Sequence, residues 1–439
     1  MLKNKTTLTL AVLMALGTGA CSASAVTGSS AGSQETAAQV SSAETDEASD
    51  TNETYTEITA ETEDTEQSGN TETGGDMFTE RDLEQTADLT DAEKITLEDR
   101  QTVTIDTEGV YVVSGNAENA SVIVDALDSD KVQIVLDGLT VTNEDQPVIY
   151  VKNADKVFVT TTDSVNELTV SGEFTDDGDV HTDAVIFSKD DLVLNGTGTL
   201  KITSSANGIT SKDDLKVTGG TVEITCAEDA LEANDSIRVA DGTVTIRTEK
   251  DGLHAENDED DSVGFIYISG GSLKIEAGDD AIHGTTTVTV DGGTLDLSGR
   301  ECIEATVITV NDGSITIAAS DDGINAGKKS SQYSPLITVN GGEITITMGQ
   351  GDTDAIDSNG DLVINGGTLD ITAQSPFDYD GTASLNGGRL IVNGTETAQI
   401  TGQFGGPGFG GQGQMPGDQN GGMPGDQEGG FPGGSHGHH

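Results

Sequence analysis

Glu228-Asp229-Ala230-Leu231, Lys250-Asp251-Gly252-Leu253, Asp279-Asp280-Ala281-Ile282, Arg300-Glu301-Cys302-Ile303, Asp321-Asp322-Gly323-Ile324 and Asp354-Ala355-Ile356 repeat one short phrase. It consists of an acid, a small residue and an aliphatic. Where no insertion intervenes, the small residue advances by about 22 or 21 positions (230 to 252, 281 to 302, 302 to 323), a spacing that suits one coil of a solenoid. If the coils stack, the acids stack with them.

Working outward from the phrase, each unit continues with a bend and an aliphatic-x-aliphatic strand such as Ile237-Arg238-Val239, Val288-Thr289-Val290 or Ile337-Thr338-Val339. A turn follows, for example Ser269-Gly270-Gly271 or Asn340-Gly341-Gly342, and then a second strand such as Leu273-Lys274-Ile275 or Ile344-Thr345-Ile346. Period-two alternation places the aliphatics inward, and corner glycines supply positive φ. The pattern predicts an all-β, single-stranded parallel β-helix, right-handed as nearly all parallel crossovers are, with coils of about 21 to 24 residues. An antiparallel sandwich is the alternative, because Asn-Gly turns also serve hairpins. Weaker alternation extends upstream through Gly109-Val110-Tyr111-Val112-Val113, Val132 to Leu136 and Val157-Phe158-Val159, with Asp137-Gly138 and Asn153-Ala154-Asp155 as turns.

Four segments are expected. Residues 1–20, with Lys3 and Lys5 before an apolar run from Leu8 to Leu16, have the order of an export signal. Thr18-Gly19-Ala20-Cys21 follows as a lipobox-like end, so Cys21 is the predicted lipidation site, with ordinary cleavage as the alternative. Residues 21–76 are a Thr/Glu-rich acidic stalk with too few aliphatics for a core. Residues 77–400 form the β-helix, and 401–439 a Gly/Pro/Gln/Met-rich tail ending His436-Gly437-His438-His439. The protein is therefore expected to be exported and lipid-anchored on the outer face of a bacterial membrane, as a monomer. Cys226 and Cys302 fall three coils apart, about 15 Å at about 4.8 Å per coil, beyond disulfide reach.

The chain carries a formal charge of −57, with 57 glycines, no tryptophan and 3% aromatics. That excludes nucleic acid as a partner and favours divalent cations. Asp229, Asp251, Asp280, Glu301, Asp322 and Asp354 form one column. Neighbouring charges about 5 Å apart repel by roughly 1 kcal/mol in water. Oxygen donors suit Ca²⁺, and Asp279, Asp321, Asn325 and Asp357 join the candidate ligands. Lys250 and Arg300, one place before the column, offer a metal-free alternative as a salt-bridged ladder. Two places after the small residue stand Glu232, His254, His283, Glu304, Asn325 and Asp357. Of these, Glu232, His254, His283 and Glu304, with Tyr333 from the second of two insertions, are candidates to face a polysaccharide. The histidines are expected to be solvent-exposed, a soft-metal pair being the alternative. A second acidic corner, Ser188-Lys189-Asp190-Asp191 and Ser211-Lys212-Asp213-Asp214 with Asp235, is either a cation clip or a turn capped by side-chain hydrogen bonds. Insertions at Glu256 to Gly264 and Gly327 to Pro335 are expected on the functional face.

With these phrases on the page, the chain from about Phe78 to Gly394 resembles the carbohydrate-binding parallel β-helix proteins of clostridia and their relatives. The resemblance rests on Phe78-Thr79-Glu80-Arg81-Asp82-Leu83, Gly109-Val110-Tyr111-Val112-Val113-Ser114-Gly115, Lys131-Val132-Gln133-Ile134-Val135-Leu136-Asp137-Gly138, both Ser-Lys-Asp-Asp-Leu phrases and the Asp-Gly-Ile coils. It implies a right-handed β-helix similar to pectate lyases, bound calcium, and attachment to plant cell-wall polysaccharide of the polygalacturonate or β-1,4-glucan type, without established catalysis. Glu301-Cys302-Ile303 departs from the pattern and puts a site on that coil in doubt. The leading expectation is a non-catalytic, Ca²⁺-dependent polysaccharide-binding lipoprotein. A Ca²⁺-dependent pectate lyase, with Lys250, Arg300, Lys328 or Lys329 as base, is one alternative. An adhesin or structural protein whose partner is another protein is the other.

Overall fold

The computed structural model describes residues 77–402 apart from 258, 259 and 352. The leader, Cys21, the stalk, the tail histidines and two acids of the first insertion lie outside the described residues.

From residue 184 onward each coil contributes three strands. Leu231–Ala233, Ser236–Val239 and Thr243–Thr248 make one coil, and Leu253–Ala255, Phe265–Ile268 and Ser272–Glu276 the next. Each pairs in parallel with its counterpart one coil on, Leu231 opposite Leu253, Ile237 opposite Ile266 and Val244 opposite Leu273. The result is a parallel β-helix with three faces. The short strands build a 12-stranded sheet, here the first face. The second and third faces are joined near the N-terminal end by Lys131–Asn143, whose two halves pair onward with Lys156–Thr161 and Val165–Val170. Asp137-Gly138, expected as a turn, is a bend inside that strand, with Gly138 at φ 75°.

The opening phrase is more than a bend. Its acid and small residue sit at a corner, while its aliphatic starts a three-residue strand buried at both ends, as in Leu231–Ala233. Thr243–Thr248 alternates exposed and buried residues in strict succession, and the inward aliphatics of all three faces form one continuous core. Fully burying one such side chain contributes roughly 1.5 to 3 kcal/mol. The Gly-Gly corner needs both residues. Gly271 has φ 86°, and a Cβ on Gly341 would lie 2.3 Å from the Asn311 carbonyl oxygen of the preceding coil. Asparagines stack beside this corner, Asn340 Nδ2 donating to Asn311 Oδ1 at 2.7 Å and Asn365 Nδ2 to Asn340 Oδ1 at 2.8 Å. Arg389–Val392 pairs antiparallel with Thr395–Thr397 and closes the C-terminal end.

Residues 77–85, given no place in the repeat, lie across the outside of the second face. Asp82 is fully buried and pairs with Lys156 at 3.5 Å and Lys216 at 3.4 Å. Arg81 sits 4.5 Å over the Phe158 ring, the Met77 carbonyl accepts from Arg238, and Phe78 packs on Tyr267. This strap crosses several successive coils.

Candidate functional site

The outward side chains of the first face fall in one row. Backbone register sets Thr210 opposite Glu232, Glu232 opposite His254, His254 opposite His283 and His283 opposite Glu304. Glu304 then lies opposite Asn325, Asn325 opposite Asp357 and Asp357 opposite Asp378. Toward the other end the row continues through Phe187 and Tyr150 to Ile123. Parallel register fixes the spacing at about 4.8 Å per coil, so roughly ten steps give a row on the order of 48 Å. Glu232, His254, His283 and Glu304, predicted to face a ligand, all stand in it. Tyr333 does not; it is half-buried in its insertion.

The two ends differ in chemistry. Tyr150 and Phe187 stack edge to face at 5.7 Å and are covered beside Val180. A recess of about 140 Å³ opens there, lined by Pro147, Tyr150, Lys152, Thr175 and Asp177. At the other end Asp357 is half-buried, and burial, followed by the charges of Asp322, Asp378, Asp354 and Asp380, pushes its carboxyl up to about 7. Every group named in that field is a carboxylate. Asp322 is likewise raised to about 6, by burial and then by Asp321 and Asp354.

The histidines in the middle are not solvent-exposed as expected. The side chain of His254 is 20% and that of His283 14% exposed, with ring centroids 4.9 Å apart. His254 Nδ1 lies 2.9 Å from Asp229 Oδ2 and 3.4 Å from Asp251 Oδ2, and its Nε2 lies 3.0 Å from Glu256. His283 Nδ1 lies 3.0 Å from Asp280 and 3.1 Å from Glu304. Burial works against the charged rings. The carboxylates outweigh it and raise His254 to about 10 and His283 to about 9. Glu304 is held down to about 2, burial being overcome by His283 and Lys329, while burial raises Glu301 to about 7. The sequence places these rings on adjacent coils but gives no sign of their burial, which involves side chains of both insertions, Glu256 against His254 and Lys329 against Glu304. The two insertions also meet: Ser330 Oγ donates to the Asp261 carbonyl at 2.6 Å, and Gln332 Nε2 to the Asp261 carboxylate at 3.1 Å.

The column acids are divided by their partners. Asp229, Asp251, Asp280 and Glu301 are buried, whereas Asp322 and Asp354 are half-buried. Arg300 takes Asp279 at 2.7 Å, Asp321 at 2.9 Å and Glu301 at 3.0 Å, and Lys250 takes Glu228 at 3.3 Å. A salt-bridged ladder therefore runs along the outer line. Lys250 and Lys329 are both raised, burial being outweighed by Glu228 and by Glu304 respectively. A general base needs the opposite shift. Lys328 is exposed on its insertion.

The second acidic corner is a capped turn. Asp213 N–H donates to Ser211 Oγ, which donates to the Asp214 carbonyl at 3.1 Å. Asp190 N–H likewise donates to Ser188 Oγ, which here donates to the Asp190 carbonyl at 2.6 Å, and the Asp190 carboxylate accepts the Ala154 N–H at 3.0 Å. Asp191 pairs with Lys156 and Asp214 with Arg238, both at 3.1 Å, while Asp235 accepts from Asn257.

A family model described as "Carbohydrate-binding domain-containing protein" matches residues 99–351 and 300–403. A protein of Acetivibrio thermocellus with that same description is 45% identical over 184 residues, covering 41% of this chain and 64% of the relative's length. A solved structure, the polysaccharide lyase-like protein from C. thermocellum in a gadolinium derivative, is 25% identical, with a TM-score of 0.44, covering 62% of this chain and 98% of that one.

Proposed function

The chain belongs to the family of carbohydrate-binding domain-containing proteins, and on that premise we propose that the outward row of the first face is where it binds polysaccharide. The observation that carries the reading is the unbroken register from Glu232 to Asp378, a straight track with hydrogen-bonding side chains at every coil. The ligand we propose is a plant cell-wall-type polymer, polygalacturonate before β-1,4-glucan. Three per cent aromatics and no tryptophan leave little stacking surface for a neutral sugar.

A charge of −57 repels a uronate polymer, so a cation has to mediate. The carboxylate end suits Ca²⁺, which takes six to eight oxygens in loose geometry. Asp322, Asp354, Asp357 and Asp378 would hold it, and the ion would supply an electrostatic bridge to sugar carboxylates or hydroxyls. We further propose that the protein is exported and held at the membrane through Cys21, as its leader suggests. Binding without catalysis is favoured over the lyase reading because Lys250, Arg300 and Lys329 are each engaged by carboxylates, Glu228 at 3.3 Å, Asp279 at 2.7 Å and Glu304 at 2.8 Å.

Sedimentation with insoluble polygalacturonate and with cellulose, each with and without Ca²⁺, tests the proposal. Binding to polygalacturonate should disappear in excess EGTA and return with Ca²⁺, and Asp357→Asn with Asp378→Asn should abolish the Ca²⁺ dependence. Binding that persists in chelator would overturn the mechanism. A rise in absorbance at about 235 nm from unsaturated products would favour the lyase.

A further inference from the structure

Two histidines of adjacent coils, enclosed by five carboxylates, stand in the middle of the row, where neither the sugar track nor an oxygen-only calcium site requires imidazole. We propose that His254, His283 and Glu256 form a site for a divalent transition-metal ion of the zinc class.

The geometry is that of a cluster already gathered. Donor atoms of Asp251, Asp280 and His283 lie within 4.8 Å of one another, as do those of Asp229, Asp251 and His254, and those of His254, Glu256 and His283. The last of these groups holds both rings, so a single ion there reaches His254 and His283 together with Glu256. A tetrahedral ion has bonds of about 2.0 to 2.2 Å, so the donors would close in on it as each imidazolium ring gives up its proton to solvent.

A second observation points to a missing ligand. Asp280 is 4% exposed, its Oδ2 meets His283, and its Oδ1 is buried with no hydrogen-bond partner among the described residues. A buried carboxylate oxygen left without a donor is costly, and a cation held on the adjoining His283 ring would offset its uncompensated charge. Asp229, against His254 Nδ1, and Glu304, against His283 Nδ1, are placed as the carboxylates that orient metal-bound imidazoles.

The donor set selects the metal. Imidazole nitrogen with carboxylate oxygen suits Zn²⁺, Co²⁺, Ni²⁺ or Cu²⁺, whereas Ca²⁺ takes oxygen alone. The site is thus distinct in chemistry from the carboxylate end of the row. It stands independently of the sugar reading, because it is tested without polysaccharide. Glu256 lies at the start of the acidic insertion, so occupancy would also tie that insertion to the face.

The chain has six histidines, of which His436, His438 and His439 lie in the tail and would themselves bind Zn²⁺. The test therefore uses the mature full-length chain carrying His436→Ala, His438→Ala and His439→Ala, stripped of metal, with Zn²⁺ alone followed by calorimetry. One Zn²⁺ per chain is expected, undisturbed by excess Ca²⁺. His254→Ala with His283→Ala should weaken it at least about 100-fold, Asp280→Asn about 10-fold, and His181→Ala not at all. In the same tail-substituted parent, Co²⁺ should develop visible absorption bands of nitrogen-coordinated metal that Zn²⁺ abolishes, a readout needing no site variant. No saturable Zn²⁺ binding in that parent, a Co²⁺ spectrum identical to the aqueous ion, or unchanged affinity in the double histidine variant would each overturn the proposal.

Discussion

The Asp229 carboxylate accepts the backbone N–H of Asp251 through Oδ1 at 3.0 Å, and Asp251 does the same for Asp280 at 2.8 Å. Asn207 serves Asp229 and Asp322 serves Asp354 in the same way. Asp229, Asp251 and Asp322 therefore each satisfy a corner amide of the next coil, a role that suits a short side chain ending in oxygen, whereas Asp280 Oδ1 takes no such amide. At Glu301 the longer side chain reaches Arg300 and Asn325 instead. Asp251→Ala should cost about 1 to 3 kcal/mol by orphaning the buried Asp280 N–H. Asp251→Asn keeps an acceptor and should cost much less. Guanidinium unfolding midpoints of the two variants check this, and equal losses would show that charge rather than the hydrogen bond matters.

The aliphatic columns and Gly-Gly corners were legible because both are local. Period-two alternation in Thr243–Thr248 and the left-handed Gly271 each need only a few neighbouring residues. The first face was not, since three residues such as Leu231–Ala233 are too few to display a period. The strap was invisible for another reason: Asp82 meets Lys216 across 134 residues, and no spacing announces such a contact. The stretch of the row from Glu232 to Asp357 was foreseen through the repeat frame, whereas Tyr150, Phe187, Thr210 and Asp378 lie outside the repeated phrase, and the burial of the histidines involves contacts such as Glu256 to His254 that no spacing announces.

The capped acidic corner carries a pH signature. Burial, then Asp191, Asp235 and Asp214, raise the Asp213 carboxyl to about 6. A folded value above the unfolded one means that the folded state binds the proton more tightly, so this contribution is full below about pH 4 and is lost as pH rises through about 6. Asp213→Asn should accordingly be more stable than the native chain at pH 8 and nearly equal to it below pH 4. Thermal midpoints across that range measure the difference, and a gap that stays constant with pH would refute the assignment.

Cys226 and Cys302 are buried and free. Burial pushes their thiols up to about 11 and about 12. Since the thiolate is the nucleophile, iodoacetamide at pH 8 should leave both unmodified in the folded protein and alkylate both in denaturant. Peptide mass mapping separates them from Cys21. Rapid native labelling at Cys226 would place that strand end at the surface.

The strap rests on a buried cluster of charge. Asp82 accepts the Thr79 N–H at 3.0 Å while facing Lys156 and Lys216, and Thr218 donates its hydroxyl to the Asp82 carbonyl. Burial would raise the carboxyl, but the Thr79 amide and the two lysines hold it below its ordinary value. A depressed carboxylate stabilises above its unfolded value near 4 and loses that contribution as pH falls through the lower folded one, so the strap should stay docked at neutral pH. Asp82→Ala would leave two buried or half-buried ammonium groups facing each other, with a cost of about 3 to 5 kcal/mol. Replacing Lys216 by Met in the same variant removes the charge with least exposure to water and should recover part of that loss, because an apolar side chain of similar length needs no partner. Hydrogen exchange over residues 77–85 reads the result locally. Protection there should collapse in Asp82→Ala and partly return in the double variant, while the coils beneath keep theirs. Unchanged protection in the single variant would mean that Arg81 on Phe158 and Phe78 on Tyr267 hold the strap without the ion pairs.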